Sequence, residues 1–278
     1  MSKVSVIVPC YNQGRFVDDA IESVLAQTYT NFEIVIVNDG STEEETNRIL
    51  QNYRRPKTTV LHTANRGRSA ARNHGIRAAT GQYILPLDAD DRLGSEYLEQ
   101  AVNVLEAQDN VGIVYCDAEF FGARSGRWEL PPYKFPDILL GNVIFVSGMF
   151  RRVDWEKTGG YRTNLSIWED FDFWLSIIEL GRDVCRIPKV LFYYRQHAGS
   201  TIATTSNDQL AGPYGQIMRY HQQLYADHIE FIAEQLLTLR HRVGYLEDVV
   251  RSMKRSRFWR LRERCLRLVK PFRRRATE

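Results

Sequence analysis

A doubly wound α/β fold, with a mostly parallel sheet covered by helices on both faces and an α-helical extension behind it, is what this sequence predicts. Three observations carry that prediction. Short apolar runs alternate with helical patterns four times in roughly the first 100 residues, as successive βαβ units require. Polar and acidic residues gather at the ends of those runs, where open α/β sheets place their ligands. From Tyr225 onward apolar residues instead recur at alternating spacings of four and three, a heptad pattern.

Val4 to Val8 is an apolar run closed by Pro9, and it reads as a buried strand followed by a loop over Cys10-Tyr11-Asn12-Gln13-Gly14. Ile21, Val24 and Leu25 lie at helical spacing and predict a helix from about Phe16 to Gln27. Phe32 to Val37 is the second strand. It ends in the turn cluster Asn38-Asp39-Gly40-Ser41-Thr42, where Ser41 or Thr42 can cap the acidic first turn of the next helix. Thr59 to His62 supplies a third strand. A helix from about Ser69 to Ala79 then leads through the Thr80-Gly81 turn into a fourth strand, Tyr83 to Leu87.

The fourth strand runs into Asp88-Ala89-Asp90-Asp91, three carboxylates within four residues. Like charges this close repel and carry a desolvation cost unless a cation or donors compensate them. A hard divalent metal bound to substrate phosphates is one such compensation. The other reading is an acidic cap, with Asp90 or Asp91 at the start of a helix around Ser95 to Ala107. No Gly-x-Gly-x-x-Gly follows the first strand and no Gly-x-x-x-x-Gly-Lys-Ser/Thr occurs, which counts against a dehydrogenase or a phosphate-loop nucleotidyltransferase. Asp39 can accept from a nucleobase N–H or a ribose hydroxyl, and Arg66, Arg68 and Arg72 can offset phosphate charge. Taken singly, these are equally a turn residue and a solvated helix face.

Together they say more. Val-Pro-Cys-Tyr-Asn, Val-Asn-Asp-Gly-Ser, Asn-Arg-Gly-Arg-Ser-Ala-Ala-Arg-Asn-His-Gly and Leu-Asp-Ala-Asp-Asp follow one another in order, each at a strand end. With that ordered set the chain resembles, over about residues 2–200, the family 2 glycosyltransferases of the GT-A fold. The resemblance implies a nucleotide-diphosphate sugar as donor, a divalent cation (Mn²⁺ or Mg²⁺) and inversion at the anomeric carbon. It would place Pro9, Tyr11 and Asp39 around the base, with Asn12 and Arg68 completing the nucleotide-sugar contacts and Arg72 near the diphosphate. Asp88 would bind the ribose or metal-bound water, Asp90 would ligate the metal and Asp91 would support the loop.

Beyond the helix ending near Ala107, Val111 to Tyr115 reads as another strand. Residues 119–141, with Gly122, Gly126, Pro131, Pro132 and Pro136, read as a variable loop with acceptor-side potential. Val143 to Phe150 returns to the core, and Arg152 to Thr158 is a short helix stopped by Gly159-Gly160. A second acidic centre, Trp168-Glu169-Asp170, opens an apolar helix that stops at Gly181. Adjacent helical residues point roughly 100° apart, so only one of the two carboxylates can face a given site. A helix N-terminus also favours acids on its own account. In the resembling family this pair sits beside the acceptor and its second member is the catalytic base, which implies that role for Asp170 and an acceptor-side place for Trp168 and Glu169. Trp168 is equally readable as a core aromatic, and Asp172 is expected to cap the helix or pair with Arg182. Val184 to Ile187 and Leu191 to Tyr194 are two further strands. Tyr194-Arg195-Gln196-His197-Ala198-Gly199-Ser200 then matches the family pattern, which implies His197 as a metal or diphosphate contact.

The net charge of +3 conceals an asymmetry, because residues 251–275 hold 12 Lys/Arg against the single acid Glu263. Tyr225, Ile229, Ile232, Leu236, Leu239, Val243, Leu246, Val250 and Met253 form a seam suited to a parallel coiled-coil homodimer through 225–253, or to packing back on the preceding domain. The 255–275 tail, in which Phe258 and Trp259 interleave with basic residues, suits an anionic membrane surface. A solvated helix or a disordered tail is the alternative. Charge alone argues for nucleic acid, and no nucleic-acid-binding fold supports it. The expected organisation is therefore 1–204 catalytic, 205–254 helical and 255–278 a basic tail.

The four cysteines are far apart and show no metal-type spacing. No signal peptide and no apolar run of ~18–20 residues is seen, which places the expected enzyme in the cytoplasm, at most peripheral on the membrane's inner face. No Gln-x-x-Arg-Trp follows Asp170, so transfer of one sugar is expected rather than processive polymerisation. The expected reaction moves a sugar, UDP-sugar favoured, to a hydroxyl of a glycan or lipid-linked acceptor in surface polysaccharide synthesis. The alternative is a catalytically silent, nucleotide-sugar-binding coiled-coil scaffold.

Overall fold

All seven residues of β1 (Val4–Cys10) are buried. The strand runs parallel to β2 (Phe32–Asp39) on one side and to β4 (Tyr83–Pro86) on the other, and β2 runs parallel to β3 (Thr58–Thr63). A strand with partners at both edges and helices over both faces has no wet side, which is why its sequence is nearly all apolar. This is the computed structural model of the chain, and it describes residues 1–197, 207–259 and Arg262. The chain divides into two compact units, Met1–Tyr225 and Ala226–Glu278.

In the first unit, α1 (Gly14–Leu25), α2 (Glu44–Gln51), α3 (Arg68–Ala78) and α4 (Tyr97–Ala107) alternate with the strands. Val17, Ala20, Ile21 and Val24 form the buried stripe of α1. The α3 helix packs on β1 and β2, and the approach is close. A Cβ at Gly75 would lie 2.6 Å from Ile7 Cγ2 and 3.0 Å from Val37 Cγ2. The full sheet runs β3-β2-β1-β4-β8-β6-β9-β5, with β7 on β6. Here β5 is Arg92–Leu93, β6 Val111–Gly122, β7 Gly126–Trp128, β8 Met149–Arg151 and β9 Asp183–Gln196. The β8 strand lies antiparallel between β4 and β6, whereas β6 and β9 are parallel. After β8 come α5 (Arg152–Thr158), α6 (Glu169–Glu179), α7 (Asn207–Tyr220) and α8 (Gln222–Asp227).

Three expectations are corrected. Residues 119–122 continue β6 instead of entering a loop, with Glu119 and Phe120 paired to β7 and all four paired to β9. The Phe120 ring, which stacks on Trp128 at 5.2 Å, supplies the cross-strand contact that holds this hairpin. The two strands expected at Val184 and Leu191 are one, β9, with a register shift opposite Cys116 and Asp117 that absorbs Pro188, a residue with no N–H for the ladder. Asp172 does not pair with Arg182. It accepts from Arg162 Nη1 at 2.8 Å and lies 3.3 Å from His221 Nε2, while Arg182 binds Asp154 at 2.8 Å. Ten residues along a helix is roughly 15 Å, too far for Arg182 to reach back to the first turn.

The second unit holds α9 (Ile229–Arg255), a single helix of 27 residues. On it Leu236, Leu239, Val243, Leu246, Val250 and Met253 are 46–60 % exposed. Residues 198–206, and so Ser200 of the family pattern, lie outside the described residues, as does most of the basic 255–275 stretch. Among the described residues no helix is long and apolar enough to cross a membrane.

Candidate active site

Because β2, β1 and β4 are adjacent and parallel, their carboxyl ends open side by side into one cleft of about 810 Å³. Pro9 and Tyr11 line it from the end of β1, and Tyr11 is 44 % exposed. Asn12 does not line it. Its Oδ1 accepts from the backbone of Thr42 and Glu43 at 2.8 and 2.9 Å, so it fastens the loop after β1 to the start of α2. Asp39 lines the cleft from the end of β2 and accepts from the Arg66 and Gly67 N–H groups at 2.9 and 2.8 Å. That contact shapes the loop into α3. Gly40, at φ 62°, allows the crossing, because a Cβ there would lie 2.4 Å from the Asn65 nitrogen.

Arg72 is the hub of the site. Only 1 % of its side chain is exposed; Nη2 binds Asp88 at 2.7 Å and Nη1 binds Glu169 at 2.6 Å. One guanidinium thus joins the end of β4 to the start of α6, and its fork geometry suits two carboxylates. Arg72 also lines the cleft, with its guanidinium held by these two acids. Arg68, on the same helix and 45 % exposed, lies 3.7 Å from Glu169.

Asp90 lines the cleft, and its Oδ2 lies 2.9 Å from His197 Nε2. Burial and the charge of Asp88 raise the Asp90 carboxyl's pKa, while His197 opposes them. The fully buried Asp91 accepts from the Arg195 N–H at 2.9 Å and ties the acidic loop to β9. Burial, with the charges of Asp90 and Asp88, pushes its carboxyl well above the ordinary range. His197 stands on Asp90 and does not itself line the cleft. Among the described residues no group of three or more His, Cys, Asp and Glu side chains converges as a metal cage. A carboxylate and an imidazole in contact, beside a second carboxylate, nonetheless fit a divalent cation whose remaining ligands are phosphate oxygens and water.

Across the cleft, Trp168 holds the left-handed conformation at φ 61° just before α6, a conformation rare for a bulky residue. The next two acids both line the cleft but take different partners. Glu169 is buried against Arg72, whereas Asp170 bonds to Asn142. Asp170 Oδ1 accepts from the Phe171 N–H at 2.8 Å and Oδ2 from Asn142 Nδ2 at 3.1 Å. Burial first, then the charge of Glu169, raises its pKa to about 7, with Arg72 opposing. Trp128 and Phe145 form an aromatic wall of the cleft, their rings 6.3 Å apart, with Tyr194 5.1 Å from Trp128. Sequence reasoning missed Trp128, Phe145 and Asn142. An aromatic between Gly126 and Pro131 is a signal for the first, whereas nothing local marks Asn142.

A family model described as Glycosyl transferase family 2 matches residues 5–161. The uncharacterized glycosyltransferase YibD of Escherichia coli is 38 % identical over 135 residues, 47 % of this chain, and the match spans only 38 % of that relative's length. Staphylococcus aureus TarS 1–349 in complex with UDP-GlcNAc superposes with a TM-score of 0.64 at 21 % identity, covering 78 % of this chain and 65 % of that one. The mannosyltransferase PcManGT of Pyrobaculum calidifontis, in complex with GDP-Man and Mn²⁺, does so with 0.59 at 20 %, covering 94 % and 82 %. At such identities these two likenesses show the fold.

Proposed function

This chain belongs to glycosyl transferase family 2, and on that premise we propose that it is a metal-dependent, inverting glycosyltransferase using a nucleotide-diphosphate sugar. The observation that carries the reading is Asp170, a carboxylate with a pKa raised to about 7 that lines the same cleft as Asp88 and Asp90. A general base is most effective with a pKa near working pH. In this reading Asp170 takes the proton of an acceptor hydroxyl as that oxygen attacks the anomeric carbon. The bond from that carbon to the diphosphate breaks, and its electron pair leaves with the diphosphate.

The donor side divides among several residues. The exposed face of Tyr11 and the ring of Pro9 receive the base, and Asp39 offers its remaining lone pairs to a base N–H or ribose hydroxyl. Arg68 is the guanidinium open enough to meet a phosphate, and Arg72 acts through Asp88 and Glu169. Asp90 and His197 would hold a divalent cation, which when bound supplies positive charge for the departing diphosphate. The donor we favour is a UDP-sugar. Trp128, Phe145 and Trp168 present ring faces to an acceptor glycan, free or lipid-linked. A role in surface polysaccharide synthesis, with the basic tail at an anionic membrane surface and α9 pairing two copies, completes the proposal.

Calorimetric titration with UDP, GDP, CMP and TDP, each with and without Mn²⁺, tests it. One diphosphate should bind in a metal-dependent way, and Asp170→Asn should keep that affinity within a few-fold while losing transfer. Folded protein that binds none of the four would point to a scaffold, and turnover by Asp170→Asn would remove the base.

A further inference from the structure

The contact between Asn142 and Asp170 links the loop before β8 to the first turn of α6, and it is built in a way that packing alone does not require. Asn142 is half-buried and lines the cleft. Its Nδ2 donates to Asp170 Oδ2 at 3.1 Å, and its Oδ1 accepts the Ile144 N–H at 3.0 Å. The second bond decides the first. A backbone N–H needs an acceptor, so the amide oxygen is committed to Ile144 and the NH₂ end is left for the carboxylate. The Ile144 carbonyl in turn accepts from Trp174 Nε1 at 3.1 Å, and Trp174 is a fully buried residue of α6. The loop is thus pinned at Ile144 to the same helix that carries Asp170, which presets the distance between the amide and the carboxylate.

We infer that Asn142 is a positioning residue, whose carboxamide orients the Asp170 carboxylate for proton abstraction and stabilises its charged form. The inference rests on the reading of Asp170 as the base. The Phe171 N–H occupies Oδ1, so Oδ2 is the oxygen left to meet an acceptor hydroxyl, and Asn142 takes one of its two lone-pair directions. In the step itself the hydroxyl proton passes to Oδ2 while the acceptor oxygen's electron pair forms the bond to the anomeric carbon. The charged and titratable groups facing Asp170 are Glu169 beside it, Arg72 on α3, Asp88 beyond β4 and Tyr161 before α6, with Arg68 next to Glu169. Arg72 is committed to Asp88 and Glu169. Among the described residues, the hydrogen bonds onto the Asp170 carboxylate come from the Phe171 N–H and from Asn142. A hydrogen bond to the charged form of an acid favours that form.

Two variants separate orientation from loop support. Asn142→Asp keeps an oxygen for the Ile144 N–H and replaces the donor to Asp170 by a like charge. Asn142→Ala removes both contacts. Each should lower kcat/KM for transfer roughly 10- to 100-fold, leave nucleotide affinity within about two-fold, and move the acid limb of the pH–rate profile up by about one pH unit, further for Asp than for Ala. The Asp170 carboxyl can also be titrated without turnover by carbon NMR of Asp-labelled full-length protein, with Asp170→Asn identifying the signal, and it should move the same way. An unmoved limb and an unmoved carboxyl in both variants would overturn the inference, as would an Asn142→Asp protein that behaves as wild type. If Asp170→Asn still turns over, the base assignment has failed instead, and the two failures are told apart.

Discussion

At the residue scale, Asp170 couples chemistry to stability. Its carboxyl is raised to about 7 by burial and by the charge of Glu169, against about 3.9 for an unfolded Asp. Between those values the folded chain holds a proton on this group that the unfolded chain has lost, so the contribution of Asp170 to stability is fully present below about pH 4 and is lost as pH rises through about 7. Asp170→Asn removes this cost. It should therefore raise the urea unfolding free energy at pH 8 by up to about 4 kcal/mol and leave it nearly unchanged at pH 4. A variant equally stabilised at both pH values would show that the gain comes from packing and not from the charge. The acids themselves were legible in the chain, since Asp88, Asp90 and the Glu169-Asp170 pair stand in recognisable strings. What Arg72 does was not. Its burial between Asp88 and Glu169, 16 and 97 residues away in sequence, depends on three elements meeting at one point.

At the element scale, the parallel half of the sheet was readable because burial on both faces leaves a periodicity-free apolar run that only a central strand needs. The short edges were not readable. Two-residue β5 and three-residue β7 owe their existence to their partners, β9 and β6, and too few residues carry any pattern of their own. A tight contact such as α3 on β1 is also invisible in the chain, although its glycine is not. Gly75→Ala should test it, because helix propensity alone predicts a gain of about 1 kcal/mol. With Ile7 Cγ2 only 2.6 Å from the new methyl, overpacking should win, and a net loss of about 1–3 kcal/mol is expected in urea denaturation. A stabilised protein would show that α3 can move off the sheet at little cost.

At the scale of the whole molecule, α9 presents Leu236, Val243 and Val250 at one heptad position and Leu239, Leu246 and Met253 at the other, all about half-exposed. Val243 and Val250 at the first position with Leu239 and Leu246 at the second favour two parallel strands, and in that register Arg242 of one copy would meet Glu247 of its partner. Light scattering of the full-length protein should therefore give twice the chain mass, and the double variant Leu239→Lys, Leu246→Lys should give one chain mass with its far-ultraviolet spectrum retained. A monomeric wild type at high micromolar concentration would end the pairing proposal. By itself the sequence determined the α/β order, the strand ends that carry ligands, the family and the identity of the acids, because each is written in local periodicity or in a contiguous string. Only the tertiary structure decided which of those groups touch. The burial of Arg72, its hold on Glu169, and the hold of Asn142 on Asp170 are contacts between elements far apart in the chain, and a side chain's charge state and direction depend on the neighbours that folding brings to it.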